Sequence, residues 1–308
     1  MLRAVFIALS ASRSLRAIAE RSRFGQRTSS RFVAGTEVAD AIRAAIAVNR
    51  FGAGVSVDNL GENVTSAEEA RASAQLYHHL LDESAAHQLN ANISLKLTHM
   101  GLDVDENLAH ELVQGLVAKA AAMSPKSFVR VDMEGSAYTQ RTLDFVRELH
   151  RIPENKDCVG AVIQSYMRRA QADIAQLLAE GIRIRLCKGA YKEPPEIAFQ
   201  KKSEVDGNYV RLMKILMKSG IYHGLATHDE AIINQAKAYA TRESIPRNAF
   251  EFQMLHGIRR DLQQGLVKDG WRMRVYIPFG TEWYPYLMRR LAERPANVLF
   301  LAKNLLRR

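Results

Sequence analysis

Eight short apolar stretches alternate with stretches of helical period, and this predicts an α/β chain folded as a modified (β/α)8 barrel. No Gly-x-Gly-x-x-Gly follows any of the eight, which argues against an open doubly wound sheet. No linker or break in composition divides the 308 residues. One domain is therefore expected, with a helical arm over 1–50 and the barrel over 51–308.

The elements follow in order. A helix over 37–49 leads to Gly52-Ala-Gly54, and the first strand is Val-Ser-Val-Asp at 55–58. A long helix starts at Ser66, with Glu68 and Glu69 in its first turn, where the helix dipole favours acids. The second strand, 93–97, shows the alternation of a half-buried strand. The remaining strands are expected at 128–132, 160–164, 182–187, 223–227, 250–254 and 273–277. Helical stretches at 107–122, 139–150, 173–180, 208–218 and 231–240 lie between them. The connection after strand five, from Gly189 to about Asp206, is long and carries Pro194-Pro195, as a functional lid would.

Composition narrows the class. Hydrophobic residues are 47% and charged residues 25%, which is globular and not disordered or collagenous. The apolar runs at 4–9 and 298–302 are far shorter than the roughly 20 residues that span a bilayer. The net charge of +10 points to nucleic acid, an acidic membrane surface or anionic substrates. No zinc-finger spacing or RNA-binding aromatic signature is present, so a nucleic-acid partner is not expected. The arginines concentrate at the two ends. The stretch 4–9 is too short for a secretory core; the Arg/Ser-rich run to Arg31 fits either a mitochondrial transit peptide or an amphipathic arm, and the arm is favoured. Cys158 and Cys187 sit in or beside strands and read as buried free thiols, with no clustering for a metal.

A barrel carries its site at the C-terminal ends of the strands. Polar residues recur there: Lys96, Asp132, Gln164, Arg185, Lys188, Thr227, His228, Gln253 and Tyr276. Alternation places Arg130 on one face with Asp132, Arg183 with Arg185, and Arg274 with Tyr276. The excess of positive charge suits an anionic ligand. In the last helix, begun near Pro285, Tyr286, Arg289, Arg290 and Glu293 share one face. Two guanidiniums there could clamp a carboxylate, or the face could be an ordinary solvated one.

The motifs Ser94-Leu-Lys-Leu-Thr98, Arg130-Val-Asp-Met-Glu134, Arg185-Leu-Cys-Lys-Gly-Ala-Tyr191, Ala226-Thr-His-Asp229, Phe252-Gln-Met-Leu255 and Tyr276-Ile-Pro-Phe-Gly, followed by Tyr286-Leu-Met-Arg-Arg290, occur in this order. Together they resemble the proline dehydrogenase family, in its monofunctional form, from about Leu60 to Asn297. The resemblance implies a flavoenzyme that oxidises L-proline to Δ1-pyrroline-5-carboxylate, with FAD as hydride acceptor and a quinone as final acceptor. It implies a final helix lying over the strand C-terminal ends. It also implies a cytoplasmic protein, with peripheral contact at the inner face of the membrane, or a mitochondrial one if the N-terminus is a transit peptide.

Carried over by motif, Asp132 and Arg185 would be catalytic. Lys96, Arg289 and Arg290 would bind the proline carboxylate, and Glu62 would pair with Arg289 as a gate. Tyr276 and Tyr286 would pack on the proline ring, Leu186 and Leu255 would form an apolar wall, and Tyr191 would close the lid side. Met133, Ile163 and Gln164 would lie beside the flavin, with Arg185 near its redox-active edge. Lys188, Gly189 and Ala190 would meet its ribityl and phosphate region, and Thr227 and His228 its pyrophosphate and adenine. Lys192 stands where some relatives carry Trp. The residues alone leave open a Schiff-base lyase using Lys96 or Lys188 as nucleophile, and a basic surface binder without a chromophore.

Overall fold

The computed structural model describes residues 31–293, with the side chains of 289–293 outside the description. The basic N-terminal stretch, 1–30, lies outside the described residues. Eight parallel strands close a barrel in sequence order, β1 Gly54–Asn59, β2 Ala91–Leu95, β3 Val129–Val131, β4 Val159–Gln164, β5 Arg183–Cys187, β6 His223–Ala226, β7 Phe250–Leu255 and β8 Met273–Phe279. The seam pairs Val55 with Val275 and Val57 with Ile277. The helices are α1 Val38–Arg50, α2 Ala67–Ala86, α3 Glu106–Ala122, α4 Ser136–Arg151, α5 Ala170–Ala179, α6 Lys202–Lys218, α7 Glu230–Arg242, α8 Arg260–Lys268 and α9 Trp283–Glu293.

The alternation in the strands sets the layers. Val55, Val57, Ile93, Leu95, Val129, Val131, Ile184 and Leu186 are all buried in the main apolar core. Their partners on the other face, Ser56, Ser94, Arg130, Arg185, Glu251, Gln253 and Arg274, fill the inside of the barrel and are buried too. An ordinary barrel of this kind packs branched aliphatics inside. Here the interior is a hydrogen-bonded polar column, because buried charges persist only where each finds partners. Arg130 donates to the carbonyls of Ala161 at 2.9 Å and Arg183 at 2.7 Å, and Arg274 donates to Glu251 at 2.7 Å.

Several boundaries differ from the sequence expectation. Strand two ends at Leu95, because Leu97 turns into the right-handed region and opens the 3-10 turn Thr98–Met100. Helix α6 starts at Lys202, six residues before the expected start, so the β5–α6 connection is shorter than the sequence implied. Helix α8 was not singled out by its periodicity, because it is short and buries only Gln263 and Leu266. The Ser66 hydroxyl caps α2 by accepting from the Glu69 amide at 3.2 Å, and Asp105 and Asp229 cap α3 and α7 in the same manner.

The element before the barrel is structural. α1 packs its buried stripe Val38, Ala41, Ile42, Ala45 and Val48 against β8 and β1. This is the flank that a helix after β8 would otherwise cover. α9 instead docks at the strand C-terminal ends, where Trp283, Tyr284, Tyr286 and Leu287 cluster with Phe32, Val33 and Leu60. Among the described residues no helix is long and apolar enough to cross a membrane.

Candidate active site

A cavity of about 640 Å³ opens at the C-terminal mouth of the barrel. Of the residues expected at the site, Glu62, Lys96, Asp132, Met133, Gln164, Arg185, Lys188, Gly189, Ala190, Tyr191, Thr227, His228, Leu255, Tyr276 and Tyr286 line it. Glu282 and Pro285 join Tyr286 in bringing the first turn of α9 to its rim. Arg289 and Arg290 belong to α9, and their side chains, with the expected Glu62–Arg289 pairing, lie outside the described residues.

Two expected residues are corrected. Ile163 and Leu186 do not line the cavity. They sit between Val162 and Gln164 and between Arg185 and Cys187, which do, so alternation sends them outward into the core beneath the helices. The apolar wall is made instead by Val162, Met254 and Leu255. Cys187 is also corrected: it is only partly buried and lines the cavity, whereas Cys158 is buried.

Arg185 is the hub of the inner wall. Its Nε donates to Gln253 Oε1 at 2.5 Å and its terminal nitrogens to Asp132 Oδ1 at 2.7 Å, Ser56 Oγ at 3.1 Å and Ser94 Oγ at 3.0 Å. Its guanidinium stands 5.3 Å from the centre of the Tyr276 ring. The Tyr276 hydroxyl donates to the other Asp132 oxygen at 2.9 Å, so Asp132 is held from both sides. The bonds of this planar fork reach residues on or just beyond β1, β2, β3 and β7, and the guanidinium is therefore fixed in one orientation.

Lys96 stands 3.5 Å from Asp58, a residue of β1 buried to 1% exposure. Burial pushes the Asp58 carboxyl up to about 6, with Asp132 and Glu62 adding to the rise while Lys96 and Tyr276 oppose it. Burial alone would depress the Lys96 ammonium, but Asp58, Asp132 and Glu62 hold it well above the usual lysine value. Lys188, on the far side, pairs with Asp206 at 2.6 Å and Asp229 at 2.9 Å. His228 accepts the Leu255 amide proton through Nε2 at 2.9 Å, which ties the β6 end to the end of β7.

Sequence reasoning missed Asp58, Ser56, Ser94, Asp206 and Asp229 as partners of site residues. Asp58 and Ser56 were open to the same alternation that found Arg185, since both fall on the inner face of β1. Asp206 was hidden because α6 starts earlier than its pattern showed.

The comparisons agree with this geometry. The family model described as proline dehydrogenase matches residues 41–303. Proline dehydrogenase 1 of Bacillus subtilis (strain 168) is 40% identical over 310 residues, covering all of both chains. The proline dehydrogenase of Deinococcus radiodurans is 39% identical over 281 residues, 90% of this chain and 89% of its own. Among solved structures, proline utilization A of Bdellovibrio bacteriovorus, inactivated by N-propargylglycine, matches with a TM-score of 0.81 at 26% identity. It covers 94% of this chain, which in turn spans 36% of that longer one. A closed parallel barrel with a cationic mouth, relatives matched end to end and a family model across most of the length lead to one conclusion: the chain belongs to the proline dehydrogenase family, the oxidoreductases that open proline catabolism.

Proposed function

We propose that this single-domain chain oxidises L-proline to Δ1-pyrroline-5-carboxylate at the mouth of the barrel. The observation that carries the reading is the Arg185–Asp132–Tyr276 chain and the Lys96 ammonium lining one cavity with an apolar wall. FAD, when bound, would supply the acceptor for the hydride from C5 of proline and hand the electrons to a quinone. Membrane contact would be peripheral, through the basic arm, because such an acceptor is lipid-soluble.

The residues present fit a flavin. Gly189 has φ +103, and a Cβ there would fall 2.2 Å from the Tyr166 ring, so only glycine fits the turn that brings 188–190 to the cavity. Met133, Val162, Met254 and Leu255 offer apolar contact, Lys188 a positive charge for a phosphate, and Thr227 and His228 a polar end. The fixed Arg185 guanidinium would stabilise negative charge on the reduced ring without reorganising.

The substrate side follows from charge. Lys96, with Arg289 and Arg290 carried over by motif, would hold the proline carboxylate, and Tyr276 and Tyr286 would fit the ring. Leu255 and Tyr191 would close the pocket, and Glu62 would gate it. The Schiff-base alternative requires a neutral amine, and the carboxylates around Lys96 hold it protonated. The reading is tested by the visible spectrum of the purified protein. A flavin spectrum that bleaches on anaerobic addition of L-proline is expected; a colourless protein, or a spectrum indifferent to proline, overturns it.

A pH dependence follows from Asp58. Above about pH 6 the ionised Asp58 competes for Lys96; below it the proton neutralises Asp58 and leaves Lys96 to the substrate carboxylate. Proline is therefore expected to bind more tightly as pH falls through about 6, by about three- to tenfold. The inflection should vanish in Asp58→Asn, as read from the KM profile between pH 5 and 8; an inflection that persists there would assign it to another group.

A further inference from the structure

The connection between β5 and α6 is pinned along its outer half. Met167 and Ala198 form an antiparallel bridge, Arg168 donates its amide to Ile197 O at 2.9 Å, and Phe199 donates its amide to Tyr166 O at 2.8 Å. The Arg168 guanidinium adds a bond to Pro195 O at 2.7 Å and lies 4.7 Å over the Phe199 ring. At the inner end, the Tyr166 amide donates to Lys188 O at 3.0 Å. Between these anchors, residues 190–192 line the cavity.

Glu193 ties this span to the start of α4, two strands away around the mouth. Its Oε1 accepts from the Ser136 amide at 2.7 Å and its Oε2 from the Ser136 hydroxyl at 2.6 Å. Ser136 is the first residue of α4, whose N-cap is Gly135 and whose first turn holds no acid. The helix thus lacks both a side-chain cap and a negative charge of its own, and Glu193 supplies the two from another loop. Both bonds are charge-assisted and short. Just upstream of Gly135 lie Asp132 and Met133, which line the cavity. A Cβ on Gly135 would come within 3.5 Å of Glu193 and 4.0 Å of the Tyr191 ring, so the cap and the ring meet the same glycine.

We propose that Glu193 is a positioning residue: by capping α4 from the β5–α6 connection, it clasps residues 190–192 to the rim beyond β3 and holds Tyr191 over the substrate. That Tyr191 meets substrate rests on the function proposed above; the clasp itself does not. The test uses Ser136→Pro in the flavin-loaded enzyme. Proline suits the first position of a helix, and it removes both donors to Glu193 without touching the loop. Amide hydrogen exchange over 190–192 should quicken at least about tenfold while 195–199 keeps its protection. The KM for L-proline should rise about five- to tenfold with kcat within about twofold. Glu193→Gln, which keeps an oxygen for the Ser136 amide, should fall between the two, and Glu193→Ala should match Ser136→Pro. Unchanged exchange in Ser136→Pro overturns the clasp, and faster exchange with an unchanged KM overturns the positioning role. If the unsubstituted protein does not turn over proline, the functional reading fails, while the exchange result still decides the clasp.

Discussion

Arg185→Met is expected to slow the reduction of the bound flavin by L-proline by about 10²–10³-fold, measured by anaerobic stopped flow. The magnitude follows from what the guanidinium does. It is 5% exposed and spans the barrel from β5 to Gln253, Asp132, Ser56 and Ser94. In the proposed reaction a positive group fixed this firmly would meet developing negative charge without moving, and that is worth most where water is excluded. Methionine keeps the apolar stem and removes the charge. Asp132 then loses its bond from Arg185 and keeps that from the Tyr276 hydroxyl. Arg185→Lys should recover only part of the rate, because an ammonium restores charge but cannot reach several strands at once. A rate within threefold of the unsubstituted enzyme in Arg185→Met would remove Arg185 from the chemistry.

Glu251→Ala is expected to destabilise the fold by about 3–5 kcal/mol. Glu251, 4% exposed, accepts from Arg274 at 2.7 Å, Gln253 at 2.6 Å and Tyr222 at 2.9 Å. It also offsets the clustered guanidiniums of Arg130 and Arg183, which burial drives below the usual arginine value. Removing it leaves Arg274 buried beside those cations with no carboxylate, and an unpaired buried charge is among the most costly defects in a core. The loss should appear as a fall of about 10 °C in the thermal midpoint, with Glu251→Gln falling less because the amide oxygen still accepts. The sign with pH is fixed as well. Burial would raise the Glu251 carboxyl, but Arg274, Tyr222 and Gln253 bring it below the ordinary 4.5. Its contribution is therefore present above about pH 4.5 and lost on acidification, so the difference between the two proteins should shrink in acid. A midpoint shift under 2 °C at neutral pH would show that the column is not held by this carboxylate.

The interior column also explains why so much of the site was legible beforehand. Charged residues at every second position of Arg130-Val-Asp132 and Arg183-Ile-Arg185 are costly in a buried strand unless they face one another. The alternation therefore places the charges of each pair on one face, while the barrel itself is read from strands alternating with helices. The same rule, applied to Ile163 and Leu186, would have turned them outward, and the motif resemblance that placed them at the site did not carry that constraint.

What the amino-acid order determined by itself was periodic: eight strands, the inward face of each, the strand-end cluster around Arg185 and the family. Local spacing encodes these because neighbouring side chains on a strand alternate between two environments. What only the closed barrel decided was which distant groups meet: Asp58 with Lys96, Asp206 with Lys188, Glu193 with Ser136 at a helix start that has no cap of its own. The first and third of these pairs join different βα units and the second joins the two ends of one, and their contact depends on strand register and helix boundaries that no local pattern contains.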